Sequence, residues 1–422
     1  MKIITFDTKI TPEVGTEIAG YGEHDVTWEV HDDLWLNGLL LDDGRHKAAI
    51  LGFDLIGMHK EIVHTIRTRC AALLGAEEKD IVLSCTHTHG GPHSRITPKG
   101  TYDKAYCAKL FDWVEEGVRQ ALTKAWTEVD VYFYSARAFV NTSRRYCGPE
   151  NICKTLFVHR ELEPLCDGFT DPEIGMLFFR DAATRQPVET LINYAAHPLA
   201  SHCRGLGGHA ITADYPGLIR KLICENTLSH CTFVSGAAGD MFPIDSEIGW
   251  QNLDTIAKPI VREVMLGMVN AFENPQRFKM EDPEIKTLCA PFTAGLRPDI
   301  TPERRKWCSR NTDHIETELQ LLSIGDICFV GVPGEVLAEV GQEIKWNTPF
   351  RRAYVLYNST DYLDDYICHT NAIVAGGYEG DQHQTEYRSS LKLLNTAVDA
   401  MFQLYGDKVI PRRNWRPSPY MG

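Results

Sequence analysis

The chain has 422 residues, 43% of them hydrophobic and 24% charged, with a formal net charge of −14. That is the make-up of a soluble globular protein with room for one large α/β domain or two ordinary ones. The acidic balance argues against binding nucleic acid or anionic membrane by bulk electrostatics, and no stretch approaches the ~20 apolar residues that cross a bilayer. The N-terminal Met1-Lys2-Ile3-Ile4-Thr5-Phe6-Asp7 lacks a signal-peptide core, and the 13 cysteines are scattered without a CxxC pair. Both features predict a cytoplasmic chain with reduced, mostly buried thiols.

The first forty residues carry turn signals at Thr11-Pro12, Gly20-Tyr21-Gly22 and His31-Asp32-Asp33. Residues 48–53 form a short apolar run, read as a buried strand. Ile62, Ile66, Cys70, Leu73 and Leu74 then recur at helical spacing, and Ile81-Val82-Leu83 is the next strand, which completes a βαβ unit. Leu110, Val114, Val118 and Leu122 mark a helix before a strand over 129–134. A hairpin of 176–179 and 191–194 leads to a helix over 215–224, a strand over 232–234 and a helix through Ile256, Ile260, Val264 and Met268. The region 275–315 shows no clear pattern. Strands over 327–332 and 353–357 enclose a helix over 336–344, and a helix over 387–405 closes the chain. Without a linker or internal repeat, residues 1–422 read as a single large catalytic domain of α/β class. Its expected core is a mixed, largely parallel β-sheet flanked by helices.

The chemistry concentrates at strand ends. Thr86-His87-Thr88-His89-Gly90-Gly91-Pro92 follows an apolar strand; in extended backbone His87 and His89 share a face, and the glycines leave room for a ligand. His197, Asp240, Glu335 and Tyr366 likewise fall in loops after strands, and parallel strands gather such loops at the carboxyl edge, where open α/β sheets bind ligands. Glu335 with two histidines makes up the His₂Glu set of catalytic zinc sites, which keep a position open for water. Plainer readings stand beside these. His197 before Pro198 suits a structural loop, Glu335 suits the first turn of the helix over 336–344, and Asp240 suits a turn cap. Arg144 and Arg145 are either a clamp for an anion or oxyanion or solvated surface cations. His93, His202 and His209 read as loop residues near enough to support a site, and Asp54 and Asp240 are conceivable ligands of a second metal.

Taken together, Thr86 to Pro92, Asn193-Tyr194-Ala195-Ala196-His197-Pro198, Gly239-Asp240-Met241-Phe242-Pro243, Pro333-Gly334-Glu335 and Gly376-Gly377-Tyr378-Glu379 resemble the N-terminal catalytic domain of the neutral/alkaline (non-lysosomal) ceramidases. Ile10-Thr11-Pro12, Phe53-Asp54-Leu55, Asp171-Pro172-Glu173 and Ala213-Asp214-Tyr215-Pro216-Gly217 extend the resemblance in the family's order, and the chain stops where that domain would end. The resemblance implies a zinc amidase with His87, His197, Glu335 and Tyr366 as metal ligands, Tyr362 being the fallback for the last. It also implies His89 in the active site and Arg144 as the family's essential arginine. Two departures bear on substrate: Phe242 stands where the family places a serine implicated in catalysis, and Gly90 stands for serine in HTHSGPG.

The expectation is therefore a Zn²⁺-dependent hydrolase cleaving a C–N amide bond through a zinc-activated water. Tyr366 or Arg144 would stabilise the oxyanion and His89 would carry a proton. The substrate would be a small molecule, N-acylated or sugar-containing, other than long-chain ceramide, handled by a monomer or a homo-oligomer. A metal-dependent glycosidase is the alternative within hydrolases, with Trp28, Trp35, Trp250, Trp307 and Trp346 as sugar-stacking candidates. A non-catalytic binding protein on the same scaffold is the alternative outside them.

Overall fold

The computed structural model describes residues 1–20, 26–95, 102–155, 167–201, 209–244, 249–300, 314–363 and 366–407. Tyr21, Gly22, His202 and Trp307 lie outside the described residues. Strands β1 (Lys2–Lys9), β2 (Trp35–Asp42), β3 (Lys47–Phe53), β4 (Ile81–Cys85), β5 (Thr127–Arg137), β6 (Glu173–Asp181), β7 (Pro187–Tyr194) and β8 (His230–Ser235) make one sheet. Their spatial order is β8-β7-β6-β5-β1-β2-β3-β4. Strands β9 (Ile285–Gly295), β10 (His314–Ile324), β11 (Ile327–Gly331) and β12 (Arg352–Leu356) make a second, in chain order. The long helices are α1 (Lys60–Leu74), α2 (Lys104–Ala121), α3 (Asp214–Thr227), α4 (Asn252–Glu273), α5 (Ala338–Trp346) and α6 (Ser389–Tyr405).

Side-chain alternation builds the layers. In β3, Ala49, Leu51 and Phe53 pack with Ile62, Ile66, Val114 and Val118 of α1 and α2, whereas Ala48 and Ile50 pack with Leu322, Ile324 and Phe329 of the second sheet. Cover on both faces is why such a strand reads as an unbroken apolar run. Helices α3 and α4 bury Met176, Phe178 and Ile192 on the first of these faces. Helices α5 and α6 cover the outside of the second sheet through Val340, Ile344, Leu393, Ala397 and Met401. The result is helix, sheet, sheet, helix. No helix among the described residues is long and apolar enough to cross a membrane, and the described cysteines are thiols outside any disulfide and mostly buried.

The expected mixed α/β sheet flanked by helices is present, with fewer parallel pairs than the sequence suggested. Pairs β3–β4 and β7–β8 are parallel, closed by α1 and α3 as βαβ units, and β11–β12 is parallel around α5. The centre of the large sheet is antiparallel, because β1 and β2 pair along eight residues inside the stretch read as turns and β5 and β6 form a nine-residue ladder. The parallel pairs position the site. Hydrogen bonds knit their carboxyl ends together: Ser235 Oγ donates to Thr86 O at 2.9 Å, Asn193 Nδ2 to Val355 O at 3.0 Å, and Ser359 N to Val332 O at 3.0 Å.

Candidate active site

Past Cys85 the β4 ladder ends, and His87 adopts a left-handed φ of 71°, a conformation that a non-glycine residue keeps only where its surroundings enforce it. The extended His-x-His geometry expected from the sequence is thus broken at His87. The imidazoles meet all the same, with His89 Nε2 3.3 Å from His87 Nε2. Gly20 makes space for His89: at φ 104°, it lies so close that an added Cβ would fall 2.2 Å from His89 Nδ1. His197 follows β7 and is fixed from both sides. Its backbone N donates to Met241 O at 2.9 Å, and buried Asn141 donates to Ala195 O at 2.6 Å and Asp171 O at 2.7 Å.

Glu335 does not lie in the first turn of a helix. It opens a two-residue strand paired in parallel with Tyr366–Ile367, directly opposite Tyr366. Helix α5 starts at Ala338, and its N-terminus is served instead by Asp240, whose Oδ1 accepts from Ala338 N at 2.9 Å. Asp240 therefore acts as a helix cap. Asp54 accepts from both guanidinium nitrogens of Arg220 and from Trp35 N. Both carboxylates proposed for a second metal are thus engaged in structural bonds. The His209 and Trp28 rings are tilted by 34° with centroids 4.2 Å apart, and His93 is buried and not one of the three clustered histidines.

The protons of the central group follow from its partners. His87 Nδ1 lies 2.6 Å from Ile56 O, and His197 Nδ1 lies 2.7 Å from Ala238 O. A carbonyl can only accept, so each Nδ1 carries the hydrogen, and in the neutral ring Nε2 presents a lone pair. Both lone pairs face Glu335 Oε2, at 3.5 Å from His87 and 3.2 Å from His197. Glu335 Oε1 accepts from the Tyr362 hydroxyl at 2.7 Å, while buried Oε2 has no hydrogen-bond donor. Burial brings the His87 pKa down to about 4, despite the opposing carboxylate. Burial would raise the Glu335 carboxyl, but the two imidazoles and the Tyr362 hydroxyl hold it well below the ordinary carboxylate range. A neutral imidazole beside an ionised carboxylate, with lone pairs converging, is an arrangement that a cation completes. Ligands ~2.0–2.1 Å from a tetrahedral zinc stand about 3.3 Å apart, which matches the spacings here. One ring nitrogen from each of His87, His89 and His197 lies within 4.8 Å of the other two, so this cluster could hold a metal ion.

Arg144 is buried beside this group. Its Nε donates to Glu379, and its Nη2 donates to Gly239 O at 2.8 Å and to the Tyr366 hydroxyl at 3.1 Å. Arg145 donates to the other oxygen of Glu379, so the paired arginines are an internal clamp on one buried carboxylate and not solvated cations. Burial pushes the Tyr366 phenol well above its ordinary value, with Arg144 pulling the other way. Phe242 packs its ring 4.7 Å from the Arg144 guanidinium and edge-on to His197 at 5.7 Å. The anchoring roles of Glu379, Tyr362 and Asn141 were not read from the sequence. Only the Gly-Gly-Tyr-Glu segment pointed toward the first, and the contacts of all three span long separations in sequence. Of the tryptophans, Trp28 and Trp346 are exposed and Trp250 stacks on His31. None of the four described candidates, Trp28, Trp35, Trp250 and Trp346, lines the cleft over His87 and Glu335.

No protein-family model and no curated protein matches this sequence. Among solved structures, the neutral ceramidase from Pseudomonas aeruginosa superposes with a TM-score of 0.74 at 14% identity, covering 95% of this chain and 74% of that one. A ceramidase complexed with C2 superposes with a TM-score of 0.76 at 13% identity, covering 99% and 77%. At these identities the likeness establishes the fold: the chain is folded as the neutral ceramidases are, in agreement with the resemblance carried by its motifs.

Proposed function

We propose that this chain is a zinc-dependent hydrolase of the ceramidase-like kind, cleaving a C–N amide bond in a substrate other than long-chain ceramide. The observation that carries the reading is Glu335 Oε2, a buried carboxylate oxygen confronted by two imidazole lone pairs at 3.2 and 3.5 Å. His87, His197, Glu335 and Tyr366 would hold the metal, with Tyr362 orienting Glu335. When bound, zinc supplies a Lewis acid that polarises a carbonyl and lowers the pKa of water to about 7. Arg144, locked by Glu379, holds the Tyr366 hydroxyl and stabilises negative charge developing on a carbonyl oxygen beside it. His89, only partly buried at the cleft, takes the proton to the leaving amine. A cytoplasmic setting belongs to the same reading.

The cleft argues for the substrate restriction. Among the described residues its wall has one aliphatic side chain, Ile56, beside Arg95, Gln382, Gln384 and three tyrosines. The test is amine release from a panel of short N-acyl amides by the zinc-loaded protein. Turnover should stop with a chelator, return with zinc, and be lost in His197→Ala. Release of reducing sugar from glycosides without any amine release would overturn the reading in favour of a glycosidase.

A further inference from the structure

Beside the candidate site, the fold sets two nucleophilic side chains face to face. Arg145–Tyr146 and Lys154–Thr155 form a short antiparallel ladder, with Arg145 opposite Thr155 and Tyr146 opposite Lys154. One step further along that register stand Cys147 and Cys153, at the mouth of a turn in which Gly148 and Asn151 both take positive φ. Ile152 N donates to Cys147 O at 3.2 Å and closes the turn, and the two thiols are in side-chain hydrogen-bond contact. Residues directly opposite in an antiparallel pair have Cα atoms about 4.5–5.5 Å apart, inside the ~4.4–6.8 Å range that a disulfide spans. The sulfurs can therefore be joined with the backbone near its present position. Their access differs: Cys147 is half-buried and Cys153 buried. Burial pushes the Cys153 thiol up to about 12, although the Arg145 guanidinium is close by.

The same hairpin supports one wall of the cleft. Cys153 N donates to Ala375 O at 2.8 Å, Tyr378 N donates to Thr155 Oγ1 at 2.9 Å, and Arg145 Nη2 donates to Gly376 O at 3.0 Å. A Cβ added to Gly377, at φ 78°, would fall 2.7 Å from Cys153 Sγ. The sulfur thus lies against the turn that carries Tyr378, which lines the cleft, and Glu379, which anchors Arg144.

We propose that Cys147 and Cys153 are a redox-active pair, that a low-molecular-weight disulfide such as oxidised glutathione converts them to an intramolecular disulfide, and that this bridge stiffens the turn at 375–379 behind the cleft. The Cys147 thiolate attacks one sulfur of the oxidant, forming a mixed disulfide and releasing one small thiol. Cys153 then gives its proton to solvent, attacks the Cys147 sulfur and expels the second small thiol. Two protein thiols are oxidised to one disulfide, and the small disulfide is reduced to two thiols.

The experiment incubates the folded full chain with oxidised glutathione, blocks the remaining thiols, maps the tryptic peptides by mass spectrometry and follows amide exchange. Cleavage after Arg145 and Lys154 releases the peptide 146–154 with both cysteines in it. That peptide should lose two hydrogens and regain them with reduced glutathione, while the buried Cys70, Cys85 and Cys328 stay thiols. Cys153→Ser should stop at one glutathione attached to Cys147, and Cys147→Ser should leave Cys153 a thiol. In the bridged protein, exchange at Cys153 N and Tyr378 N should slow, because the hairpin that receives both bonds opens less readily. A peptide 146–154 that keeps its two thiols, or a glutathione adduct that persists in the unaltered protein, would overturn the pair. Exchange across 375–379 that is the same in the two forms would overturn its link to the cleft.

Discussion

Phe242 shows how one residue can redirect the reading of a site. Where the resemblance led to a serine, the chain places a ring that is 6% exposed, stacked on Arg144 and set edge-on to His197. It fills space and helps fix the guanidinium in a low-dielectric setting. Phe242→Ser should therefore not create a better enzyme. Truncating a buried aromatic side chain costs about 3–5 kcal/mol, so urea unfolding should show a loss of that order, with amide turnover reduced. A variant as stable as the parent and more active would contradict this assignment. At this scale His87, His197 and Glu335 were legible because metal-ligand residue types follow apolar strands. Tyr362 and Glu379 were less legible because their partners, Glu335 and the arginine pair, are set by packing between distant loops.

At the scale of elements, the strands and helices that read clearly are those with both faces covered. The run over 48–53 and the helical spacing of Ile62 to Leu74 appear as β3 and α1 because burial leaves little choice of residue. Strand β9 was missed because it is an edge strand of mixed exposure carrying Pro291, a position where proline and polar residues are tolerated. One joint between elements carries a measurable pH signature. His230 in β8 contacts Glu189 of β7 and, through Nε2, Asp7 of β1 at 2.8 Å. Burial opposes its charge, yet the two carboxylates raise its pKa to about 10, above the ordinary imidazole value near 6.5. The native state thus holds this proton more tightly than the unfolded chain. The stabilisation is fully present below about pH 6.5 and is lost as pH rises toward 10. The stability difference between the parent and His230→Asn, from denaturant titrations, should shrink steadily between pH 7 and 10. A difference that is constant or grows would contradict the joint.

Across the whole molecule, the two sheets meet where three parallel strand pairs end, so the loops after β4, β7 and β11 converge although more than 240 residues separate Cys85 from Gly331 in sequence. A ligand that binds only the folded chain stabilises it by mass action, by about 4 kcal/mol at a thousand times Kd. Stripping the metal should lower Tm and speed amide exchange in the segments just after Cys85, Tyr194 and Gly331, leaving the β5–β6 ladder and α4 little changed. Uniform acceleration, or none, would contradict a metal that staples these loops together. The central claim is tested most directly by metal analysis of the purified protein, with Glu335→Gln and His197→Ala alongside. The account predicts about one zinc per chain in the parent and nearly none in either variant, because each removes a lone pair from the converging set. A parent that binds no zinc, or variants that keep the full complement, would contradict it.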